Sequence, residues 1–368
     1  MRFNDMRNIV FFCLVIALSG CGRNNDPFSP PLAGSFSAAV WEKIKAEAAI
    51  KVEVPGYGTP YRQPLSTLGW EDSIHISRDG LYLYAMYCPG DNFSLVMNND
   101  VGNAVNYLRG PTLGMDVKTN PLNLAVWLHA DIVVASRQSL SEKFTSWTLS
   151  AMARPVYGEA GPFPFEDTGS GWKTFYYTCN DKSPTYDLDF WVISNSAYNP
   201  AGVGVLMPGF PHTANNEDNP HFERLSTNVI VLFFDSGNYT GGKGGLDIWY
   251  SVSSNNAVSW STPQNVSSVT TSAEENQPHL FYDGVWYLYY SATAPDGRLA
   301  VYRAPQTNTN DWNSWGTREL VVSAGNCAAI GEPTLTSNGD ISVVVIYANP
   351  GGSKYDKYDA DPWFIPKQ

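Results

Sequence analysis

Positive charge is in short supply in this chain: 23 Lys and Arg face 35 Asp and Glu, a formal net charge of −12 over 368 residues. Nucleic acid demands a basic footprint to neutralise its phosphates, so that partner is excluded, while neutral glycans, proteins or a bound cation stay compatible. Long apolar runs are also missing, and the best of them, Ile9 to Leu18, is too short to span a bilayer. Cysteine is sparse at five residues. No Cys and His stand at catalytic spacing, and neither a Gly-x-Ser-x-Gly elbow nor a phosphate-cradling glycine loop occurs. The glycines from Gly241 to Gly245 read as a turn between strands. Helical spacing with good helix formers appears only over residues 36–51, where a short leading helix is expected.

Aromatic and turn-forming residues are abundant instead. With 12 Trp, 21 Tyr, 17 Phe, 31 Gly and 25 Pro, the composition suits short strands punctuated by turns. One pattern recurs along the chain: an acidic residue ahead of a short extended run, followed in most copies by an aromatic-rich strand. Its copies lie at Glu71-Asp72-Ser73-Ile74-His75, Glu159 to Pro162, Glu217-Asp218-Asn219-Pro220-His221, Glu275-Asn276-Gln277-Pro278-His279 and Gly331-Glu332-Pro333. Self-similarity at roughly 50 to 90 residues means that one supersecondary unit is repeated, and a propeller is expected.

The first residues stand apart from that fold. Arg2 and Arg7 precede the apolar run and small residues follow it, the pattern of an export signal over residues 1–20. Leu18-Ser19-Gly20-Cys21 resembles the lipobox of bacterial lipoproteins, in which the Cys is acylated and becomes the new first residue. Gly22 in the next place implies, by the same resemblance, sorting to the outer membrane. Residues 21–35, rich in Asn, Pro and Ser, would form a tether without a core. The expected location is the bacterial cell envelope, with a monomeric chain touching the membrane through its lipid anchor alone.

Residues 52–368 then read as one domain, because propeller blades pack on their neighbours. Blade one takes Ser73–Ser77, Leu81–Cys88, Ala130–Ser136 and a fourth strand from Ser146. Blade two runs from Pro162 to about Met207, blade three from Pro220 to Val266 and blade four from Pro278 to Val321. Blade five has strands at Pro333–Thr336, Ile341–Ala348 and Asp361–Ile365 and no fourth. The stretch from Tyr61 to Leu65 sits ahead of the first copy much as Ser261 to Val266 precedes Glu275, so it is expected to complete the last blade and leave no open edge. The expected fold is therefore all-β, a five-bladed propeller closed by an N-terminal strand.

Gly244 to Ser251, Trp260 to Val266, Glu275 to Pro278 and Asp283 to Tyr290 together look like the repeat of TolB-like bacterial β-propellers. The span from Glu275 to Tyr290 is also similar to five-bladed glycoside hydrolases of the arabinanase and β-xylosidase type. That second resemblance implies a base Asp and an acid Glu on inner strands of different blades, facing one pocket. It is imperfect, since the acid's usual place two residues before Pro holds Asp218 in blade three and Asn276 in blade four. The stretch from Ser253 to Trp260 has the spacing of a sialidase-type Asp box, a structural turn.

Asp72, Glu159, Asp218, Glu275 and Glu332 are the candidate catalytic residues, converging at the channel mouth as acid and base. The competing reading is structural, each acid accepting backbone N–H bonds in its own blade. His75, His221 and His279 hold one position in three blades and are candidate ligands for a divalent cation such as calcium; no cofactor is otherwise required. An insertion over residues 89–128 offers Tyr107, Arg109 and Trp127 as ligand contacts. The exported compartment permits a disulfide, and Cys88 with Cys327 is favoured over Cys88 with Cys179 because ring closure brings blade five beside blade one. Two functions stay open. The leading one is a lipid-anchored propeller binding a glycan or envelope protein on its top face; the alternative is a glycan-active enzyme, either a glycoside hydrolase or a metal-dependent polysaccharide lyase.

Overall fold

The computed structural model describes residues 38–67, 69–88, 131–152, 158–166, 173–179, 188–237, 239–352 and 357–368. The export signal, Cys21, the tether and the insertion bearing Tyr107, Arg109 and Trp127 lie outside them. Helix α1 (Ala38–Glu47) and two short strands, β1 (Lys51–Val52) and β2 (Tyr61–Arg62), lead into five antiparallel sheets. Blade one is β3 (Trp70–Ile76), β4 (Tyr82–Cys88), β5 (Asp131–Ser136) and β6 (Thr148–Leu149). Blade two is β7 (Glu159–Glu166), β8 (Lys173–Cys179), β9 (Asp189–Ser194) and β10 (Val205–Leu206). Blade three is β11 (Asp218–Arg224), β12 (Ile230–Gly237), β13 (Leu246–Ser253) and β14 (Gln264–Asn265). Blade four holds β15 (Glu275–Asp283), β16 (Val285–Thr293), β17 (Leu299–Pro305) and β18 (Glu319–Ser323), and blade five holds β19 (Ala329–Leu335), β20 (Ile341–Ala348) and β21 (Tyr358–Ile365). The molecule is a five-bladed β-propeller.

Second strands such as Ile230–Phe234 are buried on every residue. Neighbouring blades cover both faces of each sheet, so these strands read as unbroken apolar runs and not as alternation. Between blades two and three the rings of Tyr176 and Phe222 stack at 3.9 Å. Fourth strands are shorter than the sequence suggests: Trp260 and Trp315 stand ahead of them and pack into the inter-blade cores.

The last blade closes as expected. Tyr61 pairs with Phe364 and Arg62 with Trp363, so β2 supplies the strand that blade five lacks. An unforeseen second clasp comes from β1, where Lys51 pairs with Ser323 and Val52 with Val322 at the edge of blade four. Helix α1 packs Trp41 into the same core. The Asp-box stretch is a turn, with Asn256 and Ala257 at φ 58° and 64° and Ser259 N donating to Asn255 Oδ1 at 2.9 Å.

The expected disulfide does not form. Cys327 is a free, buried thiol. Cys327 turns into the core beneath α1 and β1, with Asn326 Oδ1 at 3.6 Å. Cys88 instead ends β4, opposite Trp70 in blade one. Ring closure brings the two blades together without bringing these two positions together.

Candidate functional site

The repeated acids do not precede the inner strands; they lie within them, on a bulge that recurs in every blade. The register shifts between Asp72 and His75, Ala160 and Phe163, Asp218 and His221, Asn276 and His279, and Gly331 and Thr334. The third residue of each motif, counted in blade five from Ile330, takes the left-handed conformation: Ser73 at φ 48°, Gly161 at 51°, Asn219 at 49°, Gln277 at 55° and Glu332 at 56°. Such a bulge re-aims the side chains around it. It sorts the acids into two groups with different surroundings.

Glu71, Glu159, Glu217 and Glu275 occupy the first motif position, and all are fully buried. Three of them cap the preceding turn. Thr67 N and Oγ1 donate to Glu71 at 3.0 and 2.5 Å. Thr213 Oγ1 donates to Glu217 at 2.7 Å. Thr271 N and Oγ1 donate to Glu275, both at 2.7 Å. A Thr four residues before the Glu is thus the signature of a turn, and the sequence reading overlooked it.

Cations complete these junctions. Lys45 of α1 is buried and bonds Asp359 and Asp361, each at 2.7 Å. Burial disfavours its charge, but those two carboxylates and Glu71 outweigh burial and hold its pKa above the usual lysine value. Burial lifts Asp359 to about 7, with Lys45 pulling the other way. At the next such junction His212 Nδ1 lies 2.9 Å from Asp189 and 3.5 Å from Glu217. Burial opposes protonation of His212, yet the carboxylates raise its pKa to about 9.

In the second group Glu332 lines the motif end of the channel, with Asp72, Asp218 and Asp235 buried close by. Asp72 accepts Trp70 Nε1 at 2.9 Å and is in hydrogen-bond contact with Glu332. Glu332 accepts Gln277 Nε2 at 2.8 Å and Ile74 N at 2.9 Å. Across the channel, Asp218 accepts Thr178 Oγ1 at 3.0 Å. Asp235 on β12, which the sequence reading missed, accepts Asn219 Nδ2 at 2.9 Å and Gln277 N at 2.7 Å. Its signal was an acid inside an otherwise apolar strand. Burial raises Glu332 well above the ordinary carboxyl value, with Asp72 adding to it. Burial and then Asp235 do the same to Asp218, and burial brings Asp235 to about 7. Carboxyls with raised pKa values therefore collect near one end of the channel.

The structure brings Asp72, Asp218 and Glu332 together and sets Glu159 and Glu275 apart, among the first-position acids. His75, His221 and His279 form a layer in mid-channel, with ring centroids of His221 and His279 4.2 Å apart and those of His75 and His279 6.0 Å apart. Phe163 fills the same layer, 4.5 Å from His75 and 5.1 Å from His221. Burial holds the His75, His221 and His279 pKa values below the usual range, so these rings are neutral. Among the described residues, the cluster with metal-ligand spacing is elsewhere, at Asp189, His212 and Glu217.

No protein-family model matches this chain, and no curated protein matches it. Solved structures match in fold. The catalytic domain of a Coprinopsis cinerea GH62 α-L-arabinofuranosidase aligns over 85% of this chain and 96% of its own, with a TM-score of 0.52 and 10% identity. A protein described as a glycoside hydrolase aligns over 89% and 95%, with a TM-score of 0.51 and 12% identity. At such identities the likeness is one of fold alone.

Proposed function

We propose that this chain is a glycan-active enzyme of the glycoside hydrolase type, acting at the motif end of its channel. One observation carries the reading: buried carboxyls from blades one, three and five meet there, and two of them, Asp218 and Glu332, have pKa values pushed well up. Glycoside hydrolysis uses two carboxyls about 5 to 9.5 Å apart, one kept protonated as the acid. Asp72 and Glu332 are in direct contact and so cannot serve as that pair. Asp218, across the channel, is assigned the acid, Asp72 the base or nucleophile, and Glu332 the group that holds Asp72. Folds host many chemistries, so the hydrolase neighbours support the reading only by analogy. Residues 23–368 should release sugar from at least one member of a polysaccharide panel, with and without chelator, and Asp218→Asn should stop it. A folded protein inactive on the whole panel would remove the proposal.

A second reading has its own observation. Asp218 bonds Thr178 of blade two, and Glu332 bonds Ile74 of blade one, so both acids also tie neighbouring blades. A propeller that binds a glycan or envelope protein without turnover would use them so. Saturable binding without product separates the two. Under either reading, we place the protein in the cell envelope, anchored through an acylated Cys21. Cys21→Ser should move it to the soluble extracytoplasmic fraction, and membrane retention in high salt would refute the anchor.

A further inference from the structure

The channel end opposite the motif carries the larger space, a cavity of about 240 Å³. Its floor is the histidine layer, and its walls include Arg78, Glu223, Phe165, Phe281, Tyr282 and Trp286. The geometry points to a binding site here for one neutral sugar residue, distinct from the motif end and resting on none of its acids.

Three features argue for a ligand. First, Tyr282 is 59% exposed at the rim, with its ring centroid 5.2 Å from that of Trp286. The two rings meet edge to face at 64°, and the exposed Tyr282 ring at the cavity mouth offers an apolar surface of the kind a sugar's C–H face covers. Second, His221 is 2% exposed and lines the cavity, and its Nδ1 has no partner among the described residues. A buried polar atom left unpaired is costly, and a ligand hydroxyl would satisfy it. Third, polar groups of both kinds converge. Arg78 donates to the buried carboxylate of Glu223, whose Oε1 also lies 3.1 Å from His221 Nε2. Arg78 brings five N–H donors and Glu223 brings acceptor lone pairs, the combination that reads hydroxyl groups.

Charge selects the class. Arg78 is paired with Glu223, and Glu166, also on the wall, lies 3.4 Å from Lys173. A cationic ligand would meet Arg78, and an anionic one would meet Glu223 and Glu166. A neutral polyhydroxylated ring meets neither penalty. Size agrees, because the cavity falls just below the roughly 300 Å³ at which pockets for drug-sized ligands begin.

The test is saturation-transfer NMR on the full-length chain, probed with the methyl glycosides of xylose, arabinose, galactose and glucose and with tetramethylammonium. Transfer to at least one glycoside is expected. Tyr282→Ala, an exposed position whose truncation leaves the fold intact, should weaken that binding about fivefold or more. Arg78→Met should do likewise, and Lys43→Met, on the exposed face of α1, should leave it unchanged. Four results would overturn the proposal: no transfer to any glycoside, transfer to tetramethylammonium instead, sugar affinity unaltered in Tyr282→Ala, or sugar affinity lowered as much in Lys43→Met. Saturation transfer reads binding and not product, so this site and the proposed activity can fail separately.

Discussion

Replacing Asp218 by Asn separates a catalytic acid from a structural one. Asp218 is 2% exposed, and burial together with Asp235 raises its pKa well above the usual range, which favours its neutral, protonated form. Asn is also neutral and nearly the same shape, and it keeps an oxygen for the Thr178 hydroxyl 3.0 Å away. The folded state should therefore lose less than about 1 kcal/mol. Unfolding entropy near 2.1 cal/mol/K per residue, over roughly 320 residues, makes that at most about 1.5 °C in Tm. Loss of a general acid, by contrast, costs about 10² to 10⁴ in turnover. Glu275→Gln is the control. Its carboxylate accepts two bonds from Thr271, both at 2.7 Å, and an amide would turn one acceptor into a donor facing a donor. That should cost about 1 to 3 kcal/mol, or roughly 1.5 to 4.5 °C, with no selective loss of rate. Initial rates at saturating polysaccharide and calorimetry on the same preparations give both quantities. If Asp218→Asn keeps its rate and melts as early as Glu275→Gln, the acid is structural and the assignment fails.

Lys45→Met leaves Asp359 and Glu71 without their cation and Asp361 with Arg62 alone, 3.5 Å away; breaking such a buried pair costs about 3 to 5 kcal/mol, near 5 to 7 °C here, and a melting curve no lower than that of the exposed Lys43→Met would contradict it. His212 has its pKa raised to about 9, so its contribution to stability is complete below its unfolded value near 6.5 and is lost as pH rises through about 9. The gap in Tm between the native protein and His212→Gln should accordingly shrink from pH 6 to pH 10, and a constant gap would show that the charge plays no part. Deleting residues 52–66 removes β2 and bares the edge of β21, so aggregation or a large drop in melting temperature is expected; an unchanged monomer with native stability would mean that closure matters little.

The sequence by itself determined the repeat, the blade count and the closing strand. Those features are written locally, in turn residues, aromatic runs and the missing fourth strand after Asp361–Ile365, and a repeat needs only its own period to be read. Which acids face the channel was decided by tertiary structure. A left-handed residue in the third motif position bulges the inner strand, and that separates Glu275, bonded to Thr271 four residues earlier, from Glu332, bonded to Ile74 at the far end of the chain. The same holds for Lys45 at Asp361 and for the failure of Cys88 to reach Cys327. Both depend on where distant segments settle when the ring closes. Burial in that closed ring also sets the protonation of Asp218 and Glu332, because removing water from a carboxyl is a property of everything packed around it and not of its neighbours in the chain.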